Sequence, residues 1–439
     1  MYIIISTLLL IVGIIVFFCK PQLAPFYFIL WCIMGSYFVD CFILPMAEEE
    51  DFFRVYHRSY IYVFFCLIIV ASRTMKSFIN KNGKYVTTYM IFTIYVVILG
   101  CVRGGYVQDF IGYVRLGTMF VILWIWLRTV NIRNDYFERF VLLVLIVEIS
   151  LSIMQFFEIA PLLSSASTFS DVGTINMPGT LVRYNSFAMH ISLLLLCYIA
   201  IVFSNKKDKK GLLSWGIIII SIVEVFVSGA KAQLAALIIS IIFLLVYNKR
   251  KKKKWMVAGC IVIAVAVFFL AKTINTSGLD EESGLERQAN LARLATEDGY
   301  LSEESTVMLT YFLLEDYFSD VNNILTGSGK LYTRKEGYGG FIAIDTQNTT
   351  DAPFALFLCE TGIIGLFFIV LFIRFIIKDI SYKKQYAYSI LLFILLTSIT
   401  DMGVFDEINM FYLITIILYL NNVEKKNHAY NDNALLSNS

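Results

Sequence analysis

Apolar residues in this chain come in long blocks, mostly about 17 to 25 residues, which is the length that crosses a roughly 30 Å hydrocarbon layer at about 1.5 Å per residue. Thirteen such spans are read, at 2–19, 23–45, 60–72, 86–102, 110–127, 138–160, 187–204, 212–228, 231–247, 255–271, 353–377, 387–402 and 408–421. Backbone amides have no water partners in lipid, so each span is expected to be helical. The block from Tyr2 to Cys19 lacks a basic start and a small-residue cleavage site, and is read as a helix rather than a signal peptide. The fold expected is an all-α polytopic integral membrane protein of about 12–13 transmembrane helices with one large outer loop.

The polar segments between the spans alternate in character. One set is basic: Arg73 and Lys76 with Lys81 and Lys84, Arg128 with Arg133, Lys206 to Lys210, Lys249 to Lys254, Lys378 with Lys383 and Lys384, and Lys425 with Lys426. The other set is acidic or neutral: Glu48 to Asp51, Pro161 to Arg183, and a long stretch at about 272–352. The excess of Lys and Arg in cytoplasmic loops places the first set inside and the second outside. Four regions follow: residues 1–271 with about ten spans, the outer loop 272–352, residues 353–421 with about three spans, and a polar cytoplasmic tail at 422–439. The loop holds about 14 acidic and about 6 basic side chains. Within it, Val307, Met308, Tyr311, Phe312 and Leu314 have the spacing of an amphipathic helix. Thr326-Gly327-Ser328-Gly329 and Gly337-Tyr338-Gly339-Gly340 are turn signals.

Composition narrows the function classes. Hydrophobic residues make up 58% of the 439 and charged residues 16%, against about a quarter charged in a soluble domain. The net charge of +2 gathers on no concentrated basic face, so nucleic acid is not an expected partner. The eight cysteines lie in or beside apolar blocks and form neither a disulfide framework nor a metal spacing. The three histidines are scattered, and no metal or cofactor is expected. Asp-x-Asp does not occur, which points away from a nucleotide-sugar donor.

Ionisable residues inside spans are costly and mark functional candidates. In the orientation above most fall in the outer half: Asp40, Arg115, Glu158, Glu224, Lys231 and Glu360, with the polar Gln155 beside them. Glu148 alone is near a midplane. Arg103, Arg115, Arg183 and Lys231 are cations on the side that the loop bias disfavours. A phosphate group at the outer headgroup level would account for them, since Arg forks and Lys point charges both suit phosphate oxygens. Snorkelling to lipid headgroups is the plainer account of any one of them.

Three segments together resemble the O-antigen polymerase/ligase superfamily of polytopic membrane glycosyltransferases. Gly179-Thr180-Leu181-Val182-Arg183-Tyr184-Asn185 resembles its Gly-Thr-aromatic-x-Asn-x-Asn run, with Gln155 ending the helix upstream. Ser228-Gly229-Ala230-Lys231-Ala232-Gln233-Leu234 resembles a Ser-Arg-Gly-Ala-Leu run, with Lys231 in place of Arg. Glu360, Gly362 and Gly365 match Glu-x-Gly-x-x-Gly, and Leu325 to Gly329 resembles the glycine turn of the family's outer loop. The match covers roughly 150–420. Ligases of the family carry His-Asn where this chain has Asp351-Ala352, and no histidine lies in the long loop.

The resemblance implies a GT-C-like, metal-independent polysaccharide polymerase of the bacterial cytoplasmic (inner) membrane. It would move O-antigen, capsular or exopolysaccharide repeat units from an undecaprenyl-pyrophosphate carrier to a lipid-linked acceptor at the outer face. Lys231, Arg183, Arg115 and Arg103 would bind the pyrophosphate. Asp351 would serve as base, with Glu360 and Asp401 behind it. Asp351 ahead of Pro353 also fits a helix N-cap. The partners implied are the lipid-linked oligosaccharide, the bilayer, a chain-length regulator and a flippase. A ligase acting on lipid A core and a lipid-linked oligosaccharide flippase are the alternatives.

Overall fold

The computed structural model describes residues 2–38, 75–102, 133–157, 159–161, 179–181, 184–204, 212–228, 230–247, 321–327, 353–399 and 407–436. Among the described residues the regular structure is entirely helical. The helices are α1 (Tyr2–Cys19), α2 (Ala24–Phe38), α3 (Met75–Val102), α4 (Asn134–Phe156), α5 (Tyr184–Ser204), α6 (Leu212–Val227), α7 (Lys231–Tyr247), α8 (Val321–Thr326), α9 (Pro353–Lys378), α10 (Lys384–Thr397) and α11 (Glu407–Leu436). The spans expected at 60–72, 110–127 and 255–271, and the amphipathic stretch around 302–318, lie outside the described residues.

Helix ends depart from the hydropathy blocks by three to five residues in α4 and α10, and by much more in α3 and α11. The block at 86–102 is the apolar part of α3, which begins at Met75 and so carries Lys76, Lys81 and Lys84 on helix. The block at 408–421 is the apolar part of α11, which runs on through the polar tail to Leu436. Hydropathy marks where a helix is apolar, whereas Lys, Glu, Ala and Leu sustain a helix well beyond that limit.

α5 is the centre. Phe187, Ile191, Leu193, Leu194, Leu195, Cys197 and Ala200 are all inaccessible to solvent, and α4, α6, α7, α10 and α11 pack around it. A helix apolar on every side lies in a protein core or in a membrane, and here the neighbouring helices enclose it. At one end of this bundle Phe26 of α2 stacks on Phe137 and packs against Phe140 and Phe411, which ties α2, α4 and α11 together.

Among the described residues, α3 and α9 carry exposed apolar faces while several polar side chains are buried. α3 exposes Met90, Ile91, Ile94, Val97 and Ile98, and α9 exposes Ile363, Ile364, Phe367 and Val370. Inside, Glu148, Ser152, Gln155, Glu224 and Glu360 are buried. Exposed apolar faces of this kind mark contact with other protein or with a membrane. Ser186–Ser204 and Phe357–Lys378 are long and apolar enough to cross a membrane, and the second is mostly uncovered by protein.

Polar contacts give the bundle two distinct ends. Lys84 pairs with Asp379 at 3.1 Å, and Asn421 donates to the Asp379 carbonyl at 2.9 Å. The Ser381 N–H donates to Asn421 and its hydroxyl to Glu424, Lys383 donates to the Ser204 carbonyl, and Tyr419 donates to Glu138 at 2.8 Å. These bonds gather the early part of α3, the start of α4, the end of α5, the α9–α10 turn and the middle of α11 at one end. Each adjoins one of the basic segments named above, so five of them share the same end of the molecule. At the opposite end, Tyr37 donates to the Pro161 carbonyl at 2.7 Å.

Candidate active site

Two polar junctions occupy that opposite end. The first is built on α4. Glu148, Ser152 and Gln155 recur at helical spacing and so share one face of an otherwise apolar helix. The Gly179–Thr180 turn is folded onto this face. Gln155 brackets Gly179 from both sides: its side-chain oxygen accepts from the Gly179 N–H at 2.9 Å, and its amide donates to the Gly179 carbonyl at 2.8 Å. The same amide reaches the Pro161 carbonyl at 3.3 Å. Glu148 accepts from the Thr180 N–H at 3.0 Å and makes a short bond with the Thr180 hydroxyl. That hydroxyl also lies 3.3 Å from the Ile33 carbonyl. Gly179 has φ +59°, and a Cβ there would meet the Phe187 ring at 2.8 Å, so the turn requires glycine.

On the next turn of that face Ser152 donates to Glu224 of α6 at 2.9 Å. α6 ends one turn later, Ser228 and Ala230 are buried, and α7 begins at Lys231. The backbone therefore starts Lys231 from the same end as Gln155 and the Gly179–Thr180 turn.

The second junction joins three distant segments. α9 is interrupted at Gly362, where φ is 66° and ψ −171°. Such a break frees carbonyls from the helical ladder, and in an apolar surrounding they need other donors. Tyr95 of α3 supplies one: its hydroxyl lies 2.7 Å from the Thr361 carbonyl and 2.6 Å from the Thr326 carbonyl at the end of α8. α8 closes with Gly327, φ +78°, whose N–H returns to the Asn323 carbonyl at 2.8 Å. The main chain of Leu325 to Gly327 lies directly against that of Glu360 to Gly362. Glu360 is 1% exposed within this contact.

Of the candidate residues, Glu360 is buried at the second junction and Lys231 opens α7 at the level of the first. Asp351, Asp401, Arg183, Arg115 and Arg103 lie outside the described residues. By chain position, Asp351 precedes the first residue of α9 by two, and Arg183 directly precedes the first residue of α5.

Several participants were not singled out as site residues. Glu148 stood out in sequence only as a midplane exception, yet it holds the Gly179–Thr180 turn; its spacing of four and seven from Ser152 and Gln155 was the available signal. Tyr95 carries no signal, being one aromatic among many in an apolar block. His190 sits inside the bundle with Nε2 2.8 Å from the Tyr412 hydroxyl, a pairing that scattered histidines do not announce.

No family model, curated protein or solved structure matches this chain.

Proposed function

We propose that this chain is a polytopic membrane glycosyltransferase that polymerises lipid-linked glycan repeat units at the outer face of a bacterial cytoplasmic membrane. The observation that carries the reading is the pairing of the segments behind the family resemblance. Gln155 binds Gly179, and the Leu325–Gly327 turn binds Glu360–Gly362. Segments far apart in sequence thus meet as two polar junctions, at the end of the bundle away from the basic loops.

In this reaction the hydroxyl oxygen of the acceptor sugar attacks the anomeric carbon of the donor. The bond from that carbon to the phosphate oxygen breaks through an oxocarbenium-like state. The electron pair leaves with the undecaprenyl pyrophosphate, and the hydroxyl proton passes to a carboxylate. Lys231, Arg183, Arg115 and Arg103 are the proposed cations for the leaving group, effective because a site at the headgroup level is drier than bulk water. Asp351 is the proposed base, with Glu360 at the second junction.

The test is the glycan profile of a strain lacking this chain. Restoring the gene is expected to convert single repeat units into a long ladder. Polymer that forms without the chain but is not attached to lipid A core indicates a ligase, and repeat units trapped on the cytoplasmic leaflet indicate a flippase.

A further inference from the structure

We infer that Glu148 and Gln155 are a positioning pair that fixes the Gly179–Thr180 turn, and with it the path of the chain into α5, by hydrogen bonds that need no charge on residue 148. The functional half of this inference rests on the proposed glycosyl transfer.

The argument begins with donor and acceptor counts. Gly179 and Thr180 are buried in a turn that cannot satisfy its own backbone, and an unmatched amide there would be costly. Gln155 takes both polar groups of the Gly179 peptide positions, and Glu148 takes the N–H of Thr180. An amide side chain accepts and donates across Gly179 without any change of protonation, which suits Gln at position 155.

At position 148 the second bond decides what is needed. The Thr180 hydroxyl has one proton and two oxygens in reach, Glu148 Oε1 and the Ile33 carbonyl. If residue 148 donates to the hydroxyl, the hydroxyl donates onward to Ile33, and every group is served. An amide at position 148 would do the same: its oxygen would accept from Thr180 N–H and its NH2 would donate to the hydroxyl. Among the described residues no ion pair is made by Glu148, and its hydrogen bonds are those to Thr180. A fully buried side chain so arranged is a hydrogen-bonding strut rather than a counter-ion.

The consequence lies three residues on. Arg183 is joined to the turn by Leu181 and Val182 and is followed at once by the first residue of α5. Arg183 follows Thr180 by three residues, so fixing Thr180 confines the proposed pyrophosphate cation to within roughly 10 Å of chain from the turn. Loss of positioning lowers kcat more than it raises KM, because a displaced cation fails the charge that builds in the transition state.

The experiment compares Glu148→Gln and Glu148→Ala in full-length protein reconstituted in nanodiscs. One readout is hydrogen–deuterium exchange of the 179–187 segment, which needs no activity. The other is kcat and KM for extension of undecaprenyl-pyrophosphate-linked repeat units. The inference expects E148Q to match wild type in exchange and to stay within about threefold in kcat. E148A is expected to exchange faster at this segment and to lose about tenfold or more in kcat, with KM within about threefold. Should E148A fail to insert, Gln155→Ala, which removes the bonds to Gly179, is expected to give the same two changes. Unaltered exchange in the alanine variants, or E148Q as inactive as E148A, overturns the inference. If the exchange pattern holds but wild type extends no glycan, the clamp stands and the glycosyl-transfer reading falls.

Discussion

Gly327 and Gly362 meet main chain to main chain: a Cβ at Gly362 would lie 2.5 Å from the Gly327 nitrogen, and one at Gly327 would lie 2.6 Å from the Thr361 nitrogen. Both have φ in the left-handed region, 78° and 66°. Gly327→Ala and Gly362→Ala are each expected to cost roughly 2–4 kcal/mol, combining backbone strain of about 1–3 kcal/mol with overpacking against rigid main chain. Thermal unfolding in detergent should show a lower midpoint for each. Either variant unfolding at the wild-type temperature would mean that the contact is not formed.

Tyr95 holds the same junction through its hydroxyl. Tyr95→Phe keeps the ring that packs against Phe368 and removes the donor shared by the Thr326 and Thr361 carbonyls. The expected loss is about 0.5–1.5 kcal/mol, the net worth of a part-buried hydrogen bond. The variant should also be cleaved faster by protease added to the α8 side. Cleavage at the wild-type rate would show that α8 is held without Tyr95.

Much of the helix framework is legible in the sequence, because a long block apolar on every side reads as a helix enclosed either by protein or by lipid. α1, α5, α6, α7 and α9 begin and end within a few residues of their blocks. The extensions of α3 and α11 are not legible, since polar residues carry a helix past the apolar limit. Gly327 and Gly362 each announce an unusual backbone, but nothing local says that the two meet across 34 intervening positions in a packed contact. The same holds for Glu148: its cost inside an apolar helix is visible, while its partner Thr180 is fixed only when α4 and α5 pack together.

The two ends of the bundle predict sidedness. Asn322 of α8 and Lys384 of α10 are both exposed and belong to opposite ends. With the native cysteines replaced, a membrane-impermeant thiol reagent applied to intact spheroplasts should label Asn322→Cys and spare Lys384→Cys until the cells are lysed. Labelling of both before lysis, or of Lys384→Cys alone, would contradict the proposed orientation.

The proposed chemistry is tested most directly by the purified chain in liposomes with undecaprenyl-pyrophosphate-linked repeat units. Wild type is expected to build a ladder of extended glycans and release undecaprenyl pyrophosphate. Lys231→Ala and Asp351→Ala are expected to insert normally and to extend glycan slower by about a hundredfold or more. A wild-type protein that leaves the repeat units unextended, or ladders of wild-type length from both variants, would contradict the account.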